Sequence, residues 1–135
     1  MSPKKKDVPS PQAVLRQLAQ GFIPAKALQV AAELGIADLI AEKPKTADQL
    51  STILGVHSDS LYRLLRALAS LGIFKEISHN QFENTSLSEA FRSDVSGSMR
   101  DFLVFYPDDP FMLAVTKLLD VVKTEIGRAS CRERV

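Results

Sequence analysis

Two histidines, one pair of adjacent aspartates, a single cysteine and six isolated glycines are the residues of this 135-residue chain whose types could carry chemistry. His57 and His79 fall in turns, away from cysteines or regularly spaced carboxylates, so no metal-ligand pattern is recognisable and each reads as a solvated turn residue. The glycines stand too far apart for the clustered loop that cradles a phosphate or a dinucleotide. Asp108 and Asp109 could do paired-carboxylate acid–base work, but adjacent acids between Pro107 and Pro110 read better as the end of one helix and the cap of the next. No catalytic, cofactor-binding or metal-ligating residue is therefore nominated.

Composition narrows the classes further. Lys plus Arg number 17 against 16 for Asp plus Glu, a net charge of +1 that carries no electrostatic signature of a nucleic-acid or anionic-membrane partner. No apolar run nears the roughly 18 residues that cross a bilayer, so no membrane partner is expected. One cysteine cannot build a disulfide framework, and a cytoplasmic setting is the expectation. Residues 1–11 combine three lysines with three prolines and no apolar stretch, and read as a solvated lead-in instead of a signal peptide.

Cys131 itself lies in a segment unlike the rest. Residues 125–135, Glu-Ile-Gly-Arg-Ala-Ser-Cys-Arg-Glu-Arg-Val, resemble the in-frame translation of a short-read sequencing adapter, codon by codon. An artefactual tail is the expectation, with a longer natural gene. The tail holds three arginines and two glutamates, so the remainder is neutral and has no cysteine.

The elements that must position any site are helical. Leu15, Leu18 and Phe22 follow helical spacing before Gly21 and Pro24 interrupt. From Pro24 to Leu34 the polar residues Lys26, Gln29 and Glu33 form one narrow stripe on an otherwise apolar helix, which must be covered on more than one side. A domain of about 110 residues has limited core for that, so a partner subunit or second domain is expected. Gly35 fits a helix C-terminus, followed by a short turn of helix over 36–41. Thr46-Ala-Asp-Gln49 is a capping box opening a helix that stops at Gly55. Ser58 then caps a second helix bearing Leu61, Leu64, Leu65, Leu68 and Leu71 on one face. Residues 73–77 and 81–84 flank a turn and read as a hairpin. Ser86-Leu-Ser-Glu89 is a second capping box, residues 99–106 resume helix, and residues 111–124 form one amphipathic helix.

The fold class is mainly α: a winged-helix-like domain with one small β-hairpin and extra helices at both ends. Its residues support a DNA-binding regulator as one function, with Ser60, Arg63, Arg66 and Ser70 facing outward on the second helix. Against this stand a hairpin carrying Glu76 and Glu83 beside Lys75, and a neutral domain, since phosphate contacts need surplus positive charge.

Residues 27–40, 46–55, 62–74 and 84–94, above all Leu-Leu-Arg-Ala-Leu-Ala-Ser-Leu-Gly within the third, resemble the N-terminal dimerisation domain of S-adenosylmethionine-dependent small-molecule O-methyltransferases, the caffeic acid, acetylserotonin and hydroxyneurosporene type. That resemblance implies a winged-helix scaffold over 12–106 that reads no DNA, and a homodimer formed through Leu15, Leu18, Phe22 and Leu28 on intertwining first helices. It implies a linker helix over 107–124 into a catalytic domain that binds S-adenosylmethionine and methylates a hydroxyl of a small molecule. Nothing in the 135 residues matches that domain's cofactor loop or histidine base, so the chain alone is expected to bind no cofactor and to be inactive. Phe111 and Met112 fall near a stretch that contributes acceptor contacts in the family, with ordinary core packing as the other reading.

Overall fold

A computed structural model describes residues 8–108 and 110–124, and at Phe111 the backbone only. The expectations for residues 1–7, for Asp109 and for the 125–135 segment with Cys131 lie outside the described residues.

Proline and small polar side chains set the first boundaries. Helix α1 (Pro11–Ala19) starts with Pro11 in its first turn, where no amide donor is needed, and Ser10 Oγ accepts from Ala13 N at 3.2 Å. Gly21 precedes α2 (Phe22–Glu33), which tolerates Pro24 for the same first-turn reason. Gly35, at φ 66°, closes α2 and turns the chain into α3 (Ile36–Leu39). Strand β1 (Lys45–Thr46) leads into α4 (Ala47–Leu54) through the expected capping box: Gln49 N donates to Thr46 Oγ1 at 3.1 Å and Thr46 N to Gln49 Oε1 at 2.9 Å.

Two caps differ from the sequence reading. Helix α5 (Ser58–Ser70) is capped by His57, whose Nδ1 accepts from Ser60 N at 3.3 Å, while Ser58 Oγ donates to the Asp48 carboxylate. An imidazole nitrogen one residue earlier can serve as acceptor, which frees the serine to tie α5 to α4. Likewise α6 (Ser86–Glu89) is capped by Thr85, with Ser88 as the reciprocal partner, because Thr85 Oγ1 also donates to the Gly72 and Ile73 carbonyls and so sits in place at the hairpin's base.

The hairpin is β2 (Phe74–Ser78) and β3 (Gln81–Asn84), with Asn80 at φ 62° in the turn and a bulge between Glu76 and Ser78. Strand β1 adds to its far side, Lys45 opposite Phe82 and Thr46 opposite Gln81, giving a three-stranded antiparallel sheet in the order β1-β3-β2. A two-residue strand is too short to leave a periodic signal, so the sequence reading contained the hairpin alone.

Leu61, Leu65 and Leu68 of α5 pack with Leu50 of α4, Phe74 and Phe82 of the sheet, and Ala31 and Ala32 of α2 in one core. Phe91 closes its end, meeting Phe74 edge to face at 6.1 Å. Leu71 is half exposed, outside the face it was expected to share. Beyond α6 come α7 (Arg100–Phe105), a 3-10 turn (Tyr106–Asp108), α8 (Pro110–Val115) and α9 (Leu118–Thr124). The single helix expected over 111–124 is thus two, broken at Thr116 and Lys117. The Thr116 hydroxyl donates to the Leu113 carbonyl at 2.6 Å, a local bond of the kind that competes with helix continuation.

Candidate functional site

The surplus apolar surface collects at one end of the molecule. Helix α1 buries none of its residues; Leu15 is 66% exposed, Leu18 72%, and Phe22 at the start of α2 69%. Leu28, two turns further along α2, is half-buried against the core and does not share that open face. Leu113, Leu118, Leu119 and Val122 add exposed side chains from α8 and α9. Water meets more hydrocarbon here than a stable monomer of this size normally presents.

Between α1, the start of α2 and the segment from Tyr106 to Thr116 lies a cavity of about 500 Å³. Leu18, Phe22, Met112 and Leu113 give it apolar walls, while Lys26 and Asp108 are its charged groups. Met112 is half-buried in this lining. Leu18 also borders a second hollow of about 610 Å³ with Val14, Ile23, Pro24 and Leu71, so the bend at Gly21 opens on two sides.

The charged corner is a connected cluster. Lys26 Nζ donates to Asp108 Oδ1 at 2.7 Å and to Gln29 Oε1 at 2.9 Å; Gln29 Nε2 donates to Asp108 Oδ2 at 2.5 Å and to the Val104 carbonyl at 2.9 Å. The hydrogen bond from Lys26, then that from Gln29, holds the Asp108 carboxyl below its ordinary range, slightly opposed by desolvation. Gln29 is buried, so the polar stripe expected along α2 is not open to water: α7 and the 3-10 turn cover it. One turn further, Arg100 Nε donates to the Ala32 carbonyl at 3.1 Å. Asp108 therefore acts as a tertiary partner of α2, a role no local reading of Asp108-Asp109 contains. A glutamine alone among Ala, Leu and Val was the one signal pointing to it.

The winged-helix face has been turned inward on itself. Arg66 Nε lies 3.8 Å from Glu76 Oε2 and its guanidinium sits 5.9 Å from the Tyr62 ring centroid, while Arg63 is exposed. No cluster of three or more potential metal ligands occurs among the described residues.

A winged-helix scaffold with a neutralised reading face and an uncovered helical end defines an association module more than a nucleic-acid reader. The sequence pattern of the O-methyltransferase dimerisation domain matches residues 16–94, and the chain belongs to that family. Over 99 residues it is 35% identical to a phenazine O-methyltransferase of Lysobacter antibioticus, a match spanning 73% of this chain and 29% of that protein. It is 33% identical over 95 residues to phenazine-1-carboxylate N-methyltransferase of Pseudomonas aeruginosa, covering 70% of this chain and 28% of that one. Among solved structures, the calicheamicin-biosynthesis methyltransferase CalO1, with S-adenosylhomocysteine bound, superposes with a TM-score of 0.76 at 30% identity over 88% of this chain and 36% of that one. These relatives are methyltransferases, which overturns the DNA-binding regulator as an alternative. The chain spans under a third of the length of the curated relatives it matches.

Proposed function

We propose that this domain pairs with a second copy of itself through the face carrying Leu15, Leu18 and Phe22, with Leu28 supporting that face from the core side. The whole protein then transfers a methyl group from S-adenosylmethionine to a hydroxyl of a small molecule, in the cytoplasm. The observation that carries the reading is α1, a helix in a dimerisation domain that buries nothing in its own chain. Burying Leu15, Leu18 and Phe22 against another copy would remove a few hundred Å² of hydrocarbon from water, at about 25 cal/mol per Å². Residues 12–106 act as the pairing unit and 107–124 as the start of the linker, with the cofactor site assigned to parts of the whole protein outside these 135 residues. Met112, with Phe111 beside it in sequence, is proposed as a contact for the methyl acceptor. No described helix is long and apolar enough to cross a membrane, consistent with this setting.

Sedimentation velocity of the chain tests the pairing; a dimer at about ten micromolar is expected, and a stable monomer there overturns it. The chemistry is tested on the whole protein with labelled S-adenosylmethionine and a panel of phenols and aromatic amines. Label transferred to phenols supports the reading, and transfer to amines alone overturns the hydroxyl assignment.

A further inference from the structure

The polar corner formed by Lys26, Gln29 and Asp108 does more than line a cavity. Its members are separated by about 80 positions in sequence, and they join α2 to the turn from which the chain leaves the domain. Past that turn, the hydrogen bonds made by described residues of α8 and α9 are local: Thr116 to Leu113, Lys117 to Ala114, Val121 to Lys117 and Thr124 to Asp120. Neither helix buries a described residue in the core. Pro107 and Pro110 flank the turn and restrict its backbone, so the direction taken by everything that follows depends on where Asp108 is held.

We propose that Lys26, Gln29 and Asp108 form a latch that fixes the direction in which α8 and α9 leave the helical domain. Each member has a separate part. Gln29 is the buried element: its amide hydrogens reach both the last turn of α7 and the Asp108 carboxylate, so it registers the turn against α2. Lys26 neutralises the carboxylate and orients the Gln29 amide by donating to its oxygen, which leaves the amide's hydrogens aimed at Val104 and Asp108. Asp108 is bound through both oxygens, which constrains rotation as well as position. Releasing the latch leaves α8 and α9 attached by the backbone and by weak apolar contact.

The full 135-residue chain is tested by electron–electron distance measurement, with spin labels on Arg63→Cys in α5 and Asp120→Cys in α9, in a Cys131→Ser background. The labelled chain is diluted about tenfold in unlabelled chain so that distances within one copy dominate. A narrow distribution is expected for the unsubstituted latch, and one at least about twofold broader for Asp108→Asn and for Lys26→Met. Both substituted side chains are more than half exposed, so neither threatens the core. Gln29→Leu removes both amide bonds while filling similar space, and is expected to broaden the distribution most. An unchanged width in Asp108→Asn and Lys26→Met overturns the latch, and they decide the matter if Gln29→Leu fails to fold.

Discussion

The hydroxyl of Tyr62, on the helix that would read DNA in a regulator, donates to Glu76 Oε1 at 3.2 Å in the first strand of the wing. The same oxygen accepts from Asn80 N at 2.9 Å, and Arg66 approaches the other carboxylate oxygen at 3.8 Å. One acid thus fastens the wing to the helix beneath it and absorbs an arginine that could otherwise meet a phosphate.

Replacing Glu76 with Ala strands the Asn80 amide and the Tyr62 hydroxyl, and is expected to cost about 1–3 kcal/mol in urea denaturation. Because the domain carries no surplus positive charge, neither the parent chain nor Glu76→Ala should change the anisotropy of a labelled DNA duplex at low salt. Salt-dependent retention by the parent chain would contradict the inward-turned face.

Leu18 and Phe22 face water, so Leu18→Glu and Phe22→Glu remove nothing from the folded core. They should leave the helical circular dichroism and the unfolding midpoint of the monomer unchanged. Self-association should weaken by at least about tenfold per substitution, or 1.4 kcal/mol, as read by sedimentation equilibrium. A loss of helix with no loss of association would contradict the proposed pairing face.

Phe82 is fully buried and central in the sheet, where it meets Tyr62 edge to face at 6.1 Å. Phe82→Ala should lose about 3–5 kcal/mol, enough to unfold a marginal domain, and Leu65→Ala about 2–5 kcal/mol. Leu119→Ala, at a position 65% exposed, should stay within about 0.5 kcal/mol in the monomer. Chemical denaturation of the three variants side by side measures the contrast.

The Asp108 carboxyl is held below its ordinary value of 3.8 by Lys26 and Gln29. A lowered folded-state value means that the latch contributes its stability above 3.8 and loses it as the pH falls through the depressed value. Carbon-detected NMR of the side-chain carboxyl should show a midpoint below 3.8, and Gln29→Leu should move it upward. A midpoint at or above 3.8 in the parent chain would show that the cluster does not hold the charged form.

Much of this arrangement is written locally. Thr46 and Gln49 form their capping box because both partners lie within one turn, and Gly35 and Gly55 take the left-handed conformation that side chains resist. The leucine face of α5 and the hairpin follow from periods of 3.6 and 2, which need no distant partner to be legible. For the same reason the exposed apolar face of α1 could be anticipated: hydrocarbon in excess of one domain's core shows in the count of residues. The family, too, was readable from the Leu-Leu-Arg-Ala-Leu-Ala-Ser-Leu-Gly block.

Tertiary structure decided whatever depended on residues far apart in sequence. Gln29 is on a polar stripe by sequence and buried in fact, because α7 arrives from 75 positions away and offers the Val104 carbonyl. Asp108 reads as a helix end until Lys26 reaches it, and β1 has no identity as a strand until Phe82 and Gln81 lie beside it. His57 displaces Ser58 as the cap because Asp48, ten residues back, claims the serine hydroxyl. Local pattern fixes which conformations a segment can adopt, but a hydrogen bond or ion pair across the fold exists only after chain closure has brought its partners together.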